Sequence, residues 1–326
     1  MDGVLIIDKP AGLTSHDVVA RVRRILHERR VGHTGTLDPF ATGVLVLLVG
    51  RATRLAQFLS GAEKEYEAVI RLGYATDTGD LTGHLLRVDE FQAKTQSLQN
   101  LRKEDIESAM ATLRGEIQQT PPMYSAKKVG GRKLYELARR GEEIERQAVP
   151  VTISEFEALP VNGSLLRPKG DGAYDLSVRV VCSAGTYVRS LAESFGERLG
   201  VGAHLAELRR TGAGEFRIDR ARTLEELEQE VHNVASSQNP SLASLAEILI
   251  SPGAALSHLP FRELSELQLN RICQGVDLWL DESQSTGWPE GQPVSLRDQN
   301  GALAAIALYD QARNRLHPQV VIAVRD

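Results

Sequence analysis

The sequence predicts an α+β chain in which a large part of interspersed strands and helices is followed by a small β-rich module. Three observations carry this reading. Tyr66 to Leu72 alternates apolar with other residues at the period of a half-buried strand, whereas Val18, Val19, Val22, Ile25 and Leu26 recur at helical spacing. Asn233 to Ser244 is rich in Ser, Asn and Gln, the composition of a linker. Beyond Leu249, short apolar runs such as Val294 to Leu296 and Ala304 to Leu308 alternate with turn residues. The expected units are residues 1–232, a linker at 233–248 and a C-terminal module at 249–326.

Taken in order, Val4 to Asp8 reads as a strand and Lys9-Pro10-Ala11-Gly12 as a turn. Ser15 is the expected N-cap of the first helix, whose other surface carries Arg21, Arg23, Arg24, Arg29 and Arg30. Val31 to Gly43, rich in Gly, Thr, Asp and Pro, reads as an ordered loop. Val44 to Val49 then reads as a buried strand and Ala52 to Leu59 as a short helix. Thr76 to Gly83 is expected as a polar loop and Ile106 to Leu113 as a helix. After Pro121-Pro122 comes a turn at Gly130-Gly131 and a helical segment ending near Arg140. Ala173 to Cys182 is strand-like, and Tyr187 to Leu199 places Val188, Leu191, Ala192 and Phe195 at helical spacing.

Composition bounds the function. The 326 residues are 42% hydrophobic and 25% charged, ordinary values for a soluble globular protein. The Val44–Val49 apolar run is too short to span a bilayer, and only Val4 to Ile7 are apolar before Asp8 and Lys9, so no signal peptide is expected and the cytoplasm is the default compartment. Cys182 and Cys273 build neither a disulfide framework nor a thiolate metal site. There is no phosphate loop of the Gly-x-x-x-x-Gly-Lys-Ser/Thr type. His27-Glu28 opens like a zinc-protease helix, but Val31 stands where the second histidine would be needed. No metal and no cofactor are therefore expected.

The net charge of −5 disfavours nucleic acid if taken alone, yet the charge is uneven. Pro121 to Arg140 holds six cations (Lys127, Lys128, Arg132, Lys133, Arg139, Arg140) against Glu136, while Thr223 to Gln268 holds seven glutamates against Arg262. An acidic chain with a local basic strip can still hold phosphates.

The most informative segment runs from Arg30 to Gly43. Its three glycines and three threonines specify an unusual backbone path. Pro39 restricts Asp38 to extended backbone, which fixes the direction of its carboxylate. Within it, Gly32-His33-Thr34-Gly35-Thr36-Leu37-Asp38-Pro39 resembles the signature of the TruB family of tRNA pseudouridine synthases. Three further segments resemble that family's motifs. Lys9-Pro10-Ala11-Gly12-Leu13-Thr14-Ser15 is similar to the first. Tyr66 with Leu72-Gly73 and Thr76-Asp77-Thr78-Gly79-Asp80 is similar to the second-strand motif. Cys182-Ser183-Ala184-Gly185-Thr186-Tyr187-Val188-Arg189, with Gly202-Ala203-His204-Leu205 and Leu208-Arg209-Arg210, is similar to the third. The four lie in family order and cover most of Gly3 to about Gly212.

The resemblance implies a mixed, largely antiparallel central sheet with flanking helices, a thumb-like basic insertion at about 121–150, and, weakly, a PUA-type RNA-binding module at the C-terminal end. It implies isomerisation of uridine 55 in the T-loop of tRNA, with the base flipped into a pocket. Pseudouridine formation breaks the bond from ribose C1′ to uracil N1 and joins C1′ to C5. Nothing is oxidised and no group departs, and a carboxylate can attack and later leave. By resemblance Asp38 is the nucleophile and Arg189 its partner, a guanidinium favouring the ionised carboxylate. Attack on the base, attack on the ribose and abstraction of a ribose proton all remain open to Asp38. Tyr66 would stack on the uracil and handle the C5 proton, Tyr187 and Leu208 would line the pocket, and His33 would touch the RNA. Lys127, Lys128, Arg132 and Lys133 are expected to meet phosphates of the T-arm, with recognition resting mainly on RNA shape. A monomer with no obligate protein partner and no membrane is expected. Two alternatives stand beside this: a non-catalytic RNA-binding or tRNA-folding protein, and a pseudouridine synthase acting on another RNA, guided or not.

Overall fold

The fold is described from a computed structural model, which describes residues 1–86, 98, 100–125, 127–138, 140–142, 144–236, 247–281 and 287–323, with Lys128 and Lys133 described by their backbone only. The first part contains strands β1 (Gly3–Lys9), β2 (Val31–Thr34), β3 (Thr42–Val49) and β4 (Lys64–Leu72) and a hairpin of β5 (Ala75–Thr76) and β6 (Leu85–Leu86). It continues with β7 (Gly115–Gln119), a hairpin of β8 (Lys128–Val129) and β9 (Arg132–Lys133), β10 (Val149–Ala158), β11 (Leu166–Pro168), β12 (Tyr174–Cys182), β13 (Ala203–Ala213) and β14 (Phe216–Arg217). Ten of these form one sheet in the order β1-β3-β13-β4-β12-β10-β7, with β2 beside β3, β11 beside β12 and β14 beside β13. Its described pairings are antiparallel except β3 with β13. This is the expected mixed, largely antiparallel sheet.

β1 and β3 read as unbroken apolar runs because both faces are covered. Leu5, Ile7, Leu45, Leu47 and Val49 enter a core with the helices Ser15–Ile25, Val188–Arg198 and Leu224–Ala235. Val4, Ile6, Val44, Val46 and Leu48 point the other way, into a core shared with Ala255, Leu256, Leu303, Ile306 and Ile322. The C-terminal sheet, β15 (Phe261–Glu263), β16 (Leu278–Trp279), β17 (Pro293–Arg297), β18 (Leu303–Asp310) and β19 (Arg315–Val321), has the order β15-β17-β18-β19-β16. It also keeps a core of its own around Leu264, Ile272, Val294, Leu296 and Leu316.

Several local expectations change. Thr14, not Ser15, caps the first helix: it forms a reciprocal capping box with Asp17, and Ser15 is already helical. The 31–43 stretch is not all loop, because Val31–Thr34 pairs with Val46 to Val49. Gly32 and His33 hide that short strand by breaking the apolar alternation. The expected helix at Ala52 to Leu59 is a tight three-residue-per-turn segment, Gly50–Leu55, followed by the helix Ala56–Ser60. The Leu224–Ala235 helix runs into the expected linker, and 237–246 lies outside the described residues. At Gly130-Gly131 the turn is present, with φ 56 and 81, the positive pair that two-residue hairpins favour.

The registers explain where the Asp38 loop sits. β2 occupies one edge of β3 from Val46 to Val49, and β13 takes up that edge at Thr42 and Gly43. The chain from Gly35 to Ala41 leaves the sheet at this change of partner. Gly43 lets β13 approach: at φ 100, an added Cβ would lie 2.2 Å from the Arg210 carbonyl oxygen.

Candidate active site

Asp38 is held from both sides by the first sequence motif. Lys9, with 0% exposure, donates from Nζ to the carbonyls of Pro10 (2.9 Å), Leu13 (2.7 Å) and Pro39 (3.2 Å). Three donors meet three acceptors. The Gly12 amide donates to the same Pro39 carbonyl at 2.8 Å. The Leu37 amide donates to Ser15 Oγ at 2.9 Å. Both residues flanking Asp38 are thus bonded to the 9–15 turn and helix start.

Arg189 comes from the first turn of the Val188–Arg198 helix, opposite. Gln119, at the end of β7, sets that turn: its Oε1 accepts from the Tyr187 amide at 2.7 Å and its Nε2 donates to the Tyr187 carbonyl at 3.1 Å. The Arg189 guanidinium is 3% exposed. It donates to Asp38 Oδ1 at 3.2 Å, and its Nε lies 2.9 Å from Oδ2, a close charge contact off the N–H direction. The Nη2 that meets Asp38 also donates to the Tyr124 carbonyl (2.7 Å), and Nη1 donates to the Thr78 carbonyl (2.8 Å), with Asp80 at 3.7 Å behind. Asp80 is itself fixed by Thr78 and Thr82, so the Thr76-to-Asp80 motif backs the arginine.

A cavity of about 410 Å³ opens over this pair, lined by Asp38, Tyr66, Ser125, Tyr187, Leu208 and Arg210 among others. Tyr66 and Arg210 face each other across β4 and β13. Arg210, 1% exposed, donates to the carbonyls of Val44 (2.6 Å) and Gly35 (2.9 Å). Burial pushes the Asp38 carboxyl above its ordinary value; the Arg189 guanidinium opposes this and Asp80 reinforces it. Burial likewise raises the Tyr66 phenol, against Arg210. Lys9 and Lys64 are each brought down to about 8 by burial.

The sequence-predicted residues divide clearly. Asp38, Arg189, Tyr66, Tyr187, Leu208 and Lys127 share the cavity. His33 lies beside it on β2, edge-on to His16 at 5.3 Å, and burial lowers its pKa. Arg132 is bound to Glu142 at 3.1 and 3.0 Å, a counter-charge two positions beyond the end of the basic strip at Arg140. The side chains of Lys128 and Lys133, and all of Arg139, lie outside the described residues. Lys9, Gln119, Asp80 and Arg210 escape sequence reasoning as site residues, although all but Gln119 stand inside the family motifs. Such a residue is visible as a motif letter, but its partner is not.

The chain matches the description "TruB family pseudouridylate synthase (N terminal domain)" over residues 23–188 and "tRNA pseudouridylate synthase B C-terminal domain" over residues 189–257. It belongs to the TruB family of pseudouridylate synthases. This is an isomerase family, converting uridine to pseudouridine. A protein of Solibacter usitatus named tRNA pseudouridine synthase B is 41% identical over 322 residues, spanning 99% of this chain and 100% of that one. The namesake from Geobacillus thermodenitrificans is 44% identical over 280 residues, 86% of each chain. Among solved structures, an H/ACA RNP bound to a substrate RNA containing 2′-deoxyuridine aligns with TM-score 0.71 and 26% identity, over 99% of this chain and 86% of that one. The archaeal box H/ACA sRNP Nop10-Cbf5 complex aligns with TM-score 0.70 at 26% identity, over 99% and 87%. The TruB-family fold therefore extends over both sheets. Among the described residues no helix is long and apolar enough to cross a membrane.

Proposed function

We propose that this enzyme converts uridine 55 in the T-loop of tRNA to pseudouridine, with the base turned out of its stack into the 410 Å³ cavity and Asp38 as nucleophile. The observation that carries the reading is the Asp38–Arg189 pair on the cavity wall, with the carboxylate side chain still 34% exposed toward the opening. A buried guanidinium keeps that carboxylate ionised and aimed, as a nucleophile requires. C1′–N1 breaks, C1′–C5 forms, the C5 proton departs and N1 is protonated. Tyr66, Tyr187 and Leu208 supply the flat and apolar walls an unstacked base needs. The tRNA reading draws on the tRNA-named relatives, which match at higher identity than the H/ACA complexes.

The basic strip from Pro121 to Arg140 closes on T-arm phosphates, with Lys127 already at the cavity. The C-terminal module adds RNA contact. In support, Trp279 and Phe261 are 58% and 60% exposed, with the guanidinium groups of Arg315 and Arg297 at 5.8 and 4.7 Å from their ring centres. Exposed aromatic–arginine pairs are platforms for bases.

Asp38→Asn tests the whole reading. It should abolish pseudouridine formation and leave tRNA affinity within roughly a few-fold, since an amide is no nucleophile. Near-normal turnover would sink the assignment. Mapping pseudouridine in cellular RNA with and without the protein tests the substrate, and an unchanged position 55 with losses elsewhere would redirect it.

A further inference from the structure

Ser125 presents an anomaly inside the cavity. It is only 5% exposed, lines the same space as Asp38 and Tyr66, and its Oγ has no hydrogen-bond partner among the described residues. Buried hydroxyls are nearly always satisfied, so an orphan on a residue that lines the cavity marks where a bound group completes the set. Its backbone cannot turn away to find one. The preceding carbonyl, of Tyr124, accepts from Arg189 at 2.7 Å, and the Ser125 carbonyl accepts from the Tyr135 amide at 3.0 Å. Asp38 and the Ser125 peptide are therefore held by the same guanidinium.

We propose that Ser125 Oγ hydrogen-bonds a polar group of the target nucleotide itself, on the uracil edge or the ribose. This rests on the reading that the cavity receives a uridine. The bond would tie the nucleotide to the Tyr124–Ser125 peptide that Arg189 holds. A serine hydroxyl can donate to uracil O2 or O4, or exchange a hydrogen bond with the ribose 2′-OH.

The experiment pairs Ser125→Ala with tRNAs carrying uridine, 2′-deoxyuridine, 2-thiouridine or 4-thiouridine at the target position, reading the single-turnover rate and Kd. On uridine, Ser125→Ala should lose about 5- to 10-fold in the rate, in Kd or split between them, the size of one hydrogen bond. With the analogue that lacks the partner group, wild type and variant should coincide, because each deletion removes the same bond. The thermal midpoint should stay level, since the hydroxyl has no partner among the described residues to lose. Equal losses on all four substrates, or no loss on uridine, would overturn the proposal; a fall in midpoint with equal losses would assign Ser125 a structural role. The two readings fail separately: a wild type that forms no pseudouridine in any tRNA refutes the functional reading, whereas an active wild type matched by Ser125→Ala refutes only this one.

Discussion

At the scale of single residues, Arg189 combines tasks that a shorter or uncharged side chain cannot. One guanidinium meets Asp38 and the carbonyls of Thr78 and Tyr124. Asp38 is raised by burial and held back by Arg189, so removing the arginine raises it further. Arg189→Met should therefore lower kcat much more than it weakens tRNA binding, and the acid side of the kcat profile should move to higher pH. A profile unchanged between about pH 5 and 8 would show that the arginine does not tune the Asp38 carboxyl. Glu193 offers a second test. Burial pushes it up to about 7, against Arg189, and it sits over Gly79, where an added Cβ would come within 2.4 Å of its Oε1. Its folded value lies above its unfolded one, so the folded chain binds more protons between pH 4.5 and about 7 and loses stability as pH rises through that window. Glu193→Gln should therefore stabilise the chain at pH 8 more than at pH 4.5, by on the order of 1 kcal/mol. Urea unfolding at the two values checks it, and an equal effect at both would refute the shift.

At the scale of elements, the site depends on segments distant in sequence that meet as rigid pieces. The turn after β1 holds the Asp38 loop through Lys9, Gly12 and Ser15, and β7 sets the Arg189 helix through Gln119. Lys9→Met leaves the Pro10 and Leu13 carbonyls without this donor and Pro39 with the Gly12 amide alone, a cost of about 1–3 kcal/mol. It should lower kcat with little change in KM, since Asp38 loses aim while the outer RNA surface stays. Denaturant titration with steady-state kinetics reads both, and wild-type values for both would dismiss the pin. Much at this level was legible from the chain. β3, β4 and β12 follow apolar pattern, and the Gly130-Gly131 turn follows its glycines. β2 was not, because four residues containing Gly32 and His33 carry too little pattern, and their pairing with β3 is decided by proximity.

At the scale of the whole molecule, the two sheets are joined by more than a linker. Val4, Ile6, Val44, Val46 and Leu48, each at most 2% exposed, pack in one core with residues from beyond position 249. Each such side chain contributes about 1.5–3 kcal/mol on burial, against roughly 5–15 kcal/mol for a whole domain. A chain ending at residue 248 should therefore fail to give a stable catalytic unit, showing dye-binding apolar surface. A cooperative transition at the full-length midpoint would show the module to be dispensable. The basic strip is tested at this scale too. Changing Lys127, Lys128, Arg132 and Lys133 to Gln should weaken tRNA binding and flatten its log–log salt dependence by roughly 0.7–0.9 for each phosphate no longer neutralised. Because Glu142 already engages Arg132, that position should contribute least. An unchanged slope would mean the strip never meets RNA.

The sequence by itself determined the family, the nucleophile candidate and the sheet-forming segments, because ordered motifs and apolar periodicity are local properties of a chain. Only the tertiary structure decided what each motif letter does. Lys9 became the pin of the Asp38 loop, Asp80 the support of Arg189, and Arg210 the cross-strand neighbour of Tyr66. Ser125 was left with its unanswered hydroxyl. These roles lie in pairings such as the one from Arg189 to Asp38, 151 positions apart. A buried charge or hydroxyl is defined by the partner that satisfies it, and that partner is chosen when the sheet brings distant strands together.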